Sequence, residues 1–167
     1  MNYQLITVIF LILSNLFGKD WNYSADILEK KIENGKEIRL FKSKNLNGNL
    51  VHIYNDTISI FTHQAKQYPI NKELHLIGPV TMINKGDSLT CHNMKFWYEI
   101  DSLQASGNVN FKFKNYVLKT DSLMYVETSG FRGYSFEASN NSKFNDSKYE
   151  ISADNIHYND YTQIMDL

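Results

Sequence analysis

The sequence predicts an all-β protein whose sheet bends at one recurring place. Three observations predict it. Aromatic residues are abundant, with eleven Tyr and ten Phe, and only two Pro interrupt the 167 residues; that composition favours long extended runs. A unit close to thirty residues long recurs along the chain, with Gly48, Gly78 and Gly107 at its starts. Within each unit the alternation of apolar and polar residues slips out of phase at the same position.

The first element differs in kind from the rest. Leu5 to Phe17 reads LITVIFLILSNLF and is apolar except for Ser14 and Asn15. It falls short of the roughly 20 residues that cross a bilayer core of ~30 Å. Residues 1–18 are therefore expected to be a secretory signal peptide, or a short membrane anchor if they are retained. MNYQ at the start carries no Lys or Arg, and no small-x-small site precedes Lys19, which keeps the anchor open. The interrupted apolar run favours the cleaved form. Residues 19–167 are expected to form one domain, long enough for a real core.

The next stretch, ADILEKKIENG from Ala25 to Gly35, is compatible with two helical turns. Ile27, Ile32 and Ile38 also suit strands flanking Asn34-Gly35, and Asn-Gly is a strong two-residue hairpin signal, so strands are expected.

The units then follow. Leu89 comes eleven residues after Gly78, and Leu118 eleven after Gly107. A further copy has Asn140-Asn141 in place of Gly-Asn and leads to Ile151. The strings that follow are LTCHNMKF, LKTDSLMY and ISADNIHY, with IFTHQAKQY from Ile60 matching one place late and YSADILE near Tyr23 as a partial copy. Leu118 and Thr120 share a strand face. Leu123 and Tyr125 also share one, but at odd spacing from the first pair. A regular strand would put the two pairs on opposite sides. One extra residue, a bulge or sharp corner at Asp121-Ser122, lets both face the core. The small residues Thr62, Cys91, Thr120 and Ala153 fall where the backbone must turn tightly. Gly and Asn in NLNGN (Asn45 to Asn49), NKGDS (Asn84 to Ser88) and ASGN (Ala105 to Asn108) are expected in hairpin-like turns joining strand runs of 5 to 8 residues.

Chemistry-bearing motifs are sparse. The sequence has no nucleophile elbow, Walker loop, paired-cysteine metal motif or dinucleotide fingerprint, and neither enzyme activity nor a cofactor is expected. The net charge is −1 without a basic stripe, which argues against nucleic acid. FKFKNY (Phe111 to Tyr116) reads as a half-buried strand with aromatic residues in and lysines out. The single cysteine, Cys91, reads as a small core residue. His63, His92, Asp121 and Asp154 occupy equivalent positions. Side by side they would form a ladder at a corner, read as polar groups outside a bend rather than a metal site.

The units Gly78 to Gln104 and Gly107 to Val126, with weaker copies before and after, resemble the OstA-like family of periplasmic lipopolysaccharide-transport proteins, of LptA-like and LptC-like type. The resemblance covers roughly residues 22–160. It implies an antiparallel β-jellyroll folded like a taco, in which two curved sheets face each other across an apolar groove. It also implies a protein of the periplasm that shields lipopolysaccharide acyl chains and joins similar domains edge to edge, itself included, into a bridge from the inner to the outer membrane. LptA-like and LptC-like forms differ mainly in whether residues 5–17 are kept. His63 and His92 stand where the other units have Asp121 and Asp154, the fourth unit lacks its Gly, and Ser129 to Phe136 lengthens the third unit.

Strand alternation assigns the groove lining to the inward set: Ile60, Val80, Met82, Leu89, Met94, Phe96, Val109, Phe111, Phe113, Leu118, Leu123, Tyr125, Ile151 and Ile156. Two other classes compete. One is a structural or adhesive β-repeat protein without lipid cargo. The other is a periplasmic β-sandwich enzyme or sugar-binding module, which would need a cluster of acids and aromatics on an exposed face.

Overall fold

The structure, a computed structural model, describes residues 21–44, 50–128, 133–146, 148–159, 162 and 164–167. The expected signal segment, the NLNGN turn and residues 129–132 of the lengthened third unit lie outside the described residues. Among the described residues there are thirteen strands and no helix. They are β1 (Asn22–Ser24), β2 (Ile27–Glu33), β3 (Lys36–Lys42), β4 (Val51–Tyr54), β5 (Ile58–Thr62), β6 (Gln64–Tyr68), β7 (Glu73–Asn84), β8 (Asp87–Trp97), β9 (Ser102–Phe113), β10 (Tyr116–Thr128), β11 (Gly133–Asn145), β12 (Glu150–Asn159) and β13 (Ile164–Asp166).

All thirteen belong to one antiparallel sheet, and from β7 onward successive strands are neighbours. The strands β7 to β12 are 10 to 13 residues long, not the runs of 5 to 8 that turn chemistry suggested. Each folds at its middle. The register shifts between Ile77 and Val80, between Thr90 and Asn93, between Thr120 and Ser122, and between Ser139 and Ser142. At the N-terminal side the same bend separates β5 from β6, with His63 between them. The two facing sheets are thus the two walls of one folded sheet. Wall one holds β2, β3, β6, β13 and the halves of β7 to β12 around Leu74, Phe96, Leu103, Tyr125, Phe136 and Tyr158. Wall two holds β1, β4, β5 and the halves around Met82, Leu89, Phe111, Leu118, Phe144 and Ile151.

The fold-back is visible within a single strand. Phe136 and Phe144 both lie in β11, eight residues apart. In a straight strand that is about 27 Å. Their ring centroids are 6.5 Å apart. Phe113 in wall two likewise meets Phe136 in wall one at 5.7 Å.

Bending breaks ladder hydrogen bonds and frees carbonyls, which need donors. The small residues at the inner corner supply them. The Thr62 hydroxyl lies 3.0 Å from the Ile77 carbonyl and 3.3 Å from that of Gln64. The Cys91 thiol donates to Asn93 O at 3.2 Å. The Thr120 hydroxyl lies within reach of the carbonyls of Ser122, Ser139 and Asn140 (3.1, 2.9 and 3.3 Å) and of the Ser142 hydroxyl at 3.0 Å. Three of the four small residues thus hydrogen-bond at the corner, and the fourth, Ala153, is small only.

The outer corner has its own chemistry. Gly78 and Gly107 have φ of +94° and +78°, and Asn140 takes the same left-handed region at +66°. The expected ASGN hairpin is therefore a mid-strand corner of β9: Gly107-Asn108 provides two consecutive positive φ angles inside a strand that continues to Phe113. The ring of the preceding unit's histidine covers each glycine. A Cβ on Gly107 would lie 2.9 Å from His92 Nδ1, and one on Gly78 would lie 3.3 Å from His63 Nδ1. Where the preceding residue is Asp121, Asn141 donates to its carboxylate at 2.9 Å instead. Asn34-Gly35 turns β2 into β3 with both φ positive, as the Asn-Gly signal predicts.

Gly107→Ala should destabilise the fold by about 1–3 kcal/mol, from left-handed strain and the clash with His92 together. Gly86→Ala, with φ +102° but nothing within 4 Å, carries the strain alone and should cost less. Thermal melts of these and of His92→Ala/Gly107→Ala check the cause. If the double variant melts no higher than Gly107→Ala, the histidine ring is not what the corner glycine accommodates.

Candidate functional site

The fold makes a wedge. Beside the corner, wall two presents Thr62, Val80, Cys91, Val109, Thr120, Ser142 and Ala153, while wall one alternates Ala65, Leu76, Met94, Ala105, Leu123, Ala138 and Ile156. One step out, wall two carries Ile60, Met82, Leu89, Phe111, Leu118, Phe144 and Ile151, facing Leu74, Phe96, Leu103, Tyr125, Phe136 and Tyr158. Side chains grow as the walls diverge, as a wedge of changing width demands. Both ends of each bent strand reach the same open side, so hairpin turns from both walls form its rim.

On that side lies a cleft of about 180 Å³. Its apolar lining is Ile58, Met82, Leu89, Phe96, Leu103, Phe111 and Tyr125; its rim is Thr57, Asn84, Lys85, Asp87, Ser88 and Asp101. Phe111 and Tyr125 meet edge to face across it at 5.8 Å. Asp87 accepts a hydrogen bond from the Lys114 backbone N–H at 2.9 Å, which ties two neighbouring hairpins of the rim together. One positive and two negative groups give the rim no strong preference of sign.

The fourteen residues assigned to the groove divide between two environments. Met82, Leu89, Phe96, Phe111 and Tyr125 line the cleft. Ile60, Val80, Met94, Val109, Phe113, Leu118, Leu123 and Ile156 are buried in the closed core, and Ile151 packs partly buried against it. Ile58 and Leu103 were missed. Leu103 was legible as the inward partner of Tyr125 only once the strands were known to be long enough to pair across both walls. Four of the six rim residues belong to the NKGDS turn; that this turn borders the cleft has no signal in the sequence, because Thr57 and Asp101 join it from other turns.

The corner ladder lies on the convex side. His63 is half-buried there, and His92, Asp121 and Asp154 are exposed. Glycine and asparagine interleave with them. Among the described residues no group of three or more His, Cys, Asp and Glu side chains gathers in metal-binding geometry. Cys91 is buried. Burial pushes its thiol up to about 12, against a hydrogen bond from the Ser106 backbone that favours the thiolate.

The sequence matches no protein-family model and no curated protein.

Two outcomes follow from this division of the interior. Leu118 is fully enclosed, so Leu118→Ala should cost about 3 kcal/mol by leaving a dry void. Phe111→Ala removes a larger group but merely widens an open cleft, and should cost less. Denaturant unfolding of the two variants checks the order; the reverse order would place Phe111 in the closed core. For Cys91, the unfolded chain releases its proton near pH 9 while the folded chain holds it to about 12. The unfolded state then binds fewer protons, so stability falls as pH rises above about 9. The parent should lose stability relative to Cys91→Ala between pH 8 and pH 11. Parallel pH curves for the two proteins would show that the thiol is not held neutral.

Proposed function

We propose that this chain is a lipopolysaccharide-binding transport domain of the periplasm, which shelters acyl chains between its two walls and passes them on without chemistry. The observation that carries the reading is the apolar cleft where the walls diverge, continuous with a core built from the same inward rows. The resemblance of the repeated units to the OstA-like family points the same way.

Physical chemistry suits the task. Each methylene moved from water into the apolar interior gains about 0.8 kcal/mol. Apolar contact has no preferred direction, so a chain can slide without breaking a specific bond. The cleft is smaller than the ~300 Å³ at which pockets for drug-sized ligands begin. Loading an acyl chain therefore requires the walls to part at the open side, with the corner as the joint. Among the described residues the sheet also ends in strands with a neighbour on one side only. β1 and β2 end it on one side and β13 on the other, with Ile32 and Ile164 exposed on those edges. Such edges favour strand addition by similar domains, and a second copy of this chain has the matching surface. No cofactor enters this reading.

Photo-crosslinking residues at Phe111 and Tyr125 should capture lipopolysaccharide in cells, while the same groups at their outward neighbours Lys112 and Met124 should not. Equal capture at both pairs, or at neither, would leave a non-transport β-repeat protein as the better account.

A further inference from the structure

The space between the walls differs at its two ends. Towards β12 it is filled by aromatic rings, with Tyr134 and Phe136 both against Tyr158. Towards β1 it carries inward polar groups. Arg39 and Gln67 stand in the same inward row as Leu74 and Phe96. Gln67 is buried; its Nε2 donates to the Tyr23 hydroxyl at 2.8 Å and it also lies against the Tyr98 hydroxyl. Its Oε1 is buried with no hydrogen-bond partner. Trp21, equally buried, has an Nε1–H with no acceptor among the described residues. Its ring meets Tyr98 at 6.4 Å and Phe96 at 5.6 Å, and Phe96 is also a wall of the cleft.

A buried donor or acceptor left unmade is costly, and native interiors rarely hold one without a reason. Here a donor and an acceptor, both more than nine-tenths buried, flank the same tyrosine. Beside them is a guanidinium that stays charged at any physiological pH. Its pairing with Glu37, at 3.2 Å, engages Nε. We propose that this end of the fold binds the phosphate monoester head of a lipid, whose alkyl chain runs past Phe96 into the cleft. Trp21 Nε1–H and Arg39 donate to the phosphate oxygens. Gln67 Oε1 accepts the remaining phosphate proton of the monoanion, a form well populated near pH 6. The inference rests on the reading of the cleft as an acyl-chain site and adds to it a fixed position for the head, at the β1 end.

The two tryptophans make the test direct. Trp97 lies beneath the Lys95 ammonium, so the otherwise intact chain carrying Trp97→Phe keeps Trp21 as its one indole. Dodecyl phosphate, dodecanoate and dodecanol are titrated into it below their micelle-forming concentrations at about pH 6. Dodecyl phosphate should shift the Trp21 emission saturably and bind tightest, dodecanol weakest. Arg39→Gln should weaken dodecyl phosphate about tenfold and leave dodecanol unchanged. Gln67→Leu, which removes the unpaired acceptor together with the donor to Tyr23, should lower the melting temperature somewhat and, in the folded variant, weaken dodecyl phosphate while leaving dodecanol unchanged. Dodecanol binding as tightly as dodecyl phosphate, an Arg39→Gln variant with unchanged affinity, or a Trp21 emission that does not respond would each overturn the proposal. Lipopolysaccharide capture at Phe111 separates this from the broader reading. Capture with a silent Trp21 sinks the head site alone, and a responsive Trp21 without capture sinks the transport role alone.

Discussion

Everything in this molecule depends on strands that fold back on themselves without losing hydrogen bonds they cannot replace. A bulge in one strand is ordinary. A row of bulges across successive strands is a hinge line, and it would strand carbonyls along its inner side. Thr62, Cys91 and Thr120 stand at that line, each within hydrogen-bond reach of a carbonyl two residues ahead. Thr62 and Thr120 also reach into the next strand's bend, at Ile77 and Ser139. At these three positions the side chain is small, a donor and tolerant of an apolar setting, whereas Ala153, in the last bent strand of the row, is small alone. Larger groups there would hold the walls apart, and alanine at Thr62, Cys91 or Thr120 would remove a donor from the carbonyls it reaches.

The outer side of the same line solves a backbone problem. The chain must enter the left-handed region, which only glycine adopts freely and asparagine adopts at small cost. Gly78, Gly107, Asn108, Asn140 and Asn141 do so. The choice between glycine and asparagine is coupled to the neighbouring strand. A histidine ring lies over the glycines, whereas Asp121 meets an asparagine that can donate to it. The histidine–aspartate ladder is therefore part of the corner's construction.

With the corner made, the interior follows as geometry. The walls diverge from it, so on wall two the residues beside it are small and those a step outward are long or aromatic. Aromatic rings fill the wider part unevenly, and where they leave space the cleft appears. The β12 end is closed by stacked and edge-on rings, while the β1 end holds Arg39, Gln67 and the Trp21 N–H. The two ends of the interior therefore differ in what their side chains offer, which a symmetric sandwich of the same composition would lack.

The residues by themselves determined the strand class, the inward direction of the fourteen residues assigned by alternation, and the phase slip at which strands bend. All three are local: alternation, left-handed φ and hairpin chemistry act within a few residues, as at Asn34-Gly35 and at Thr120 to Ser122. Even so, ASGN was misread as a hairpin, because Gly-Asn signals positive φ without saying whether the chain reverses or only turns a corner. Tertiary structure alone decided which inward residues line a cleft and which are sealed. Leu118 and Phe111 are cross-strand partners in one inward row, yet the first is enclosed and the second faces open space. That difference depends on what the opposite wall presents and how far away it stands, and the opposite wall is built from residues elsewhere in the chain.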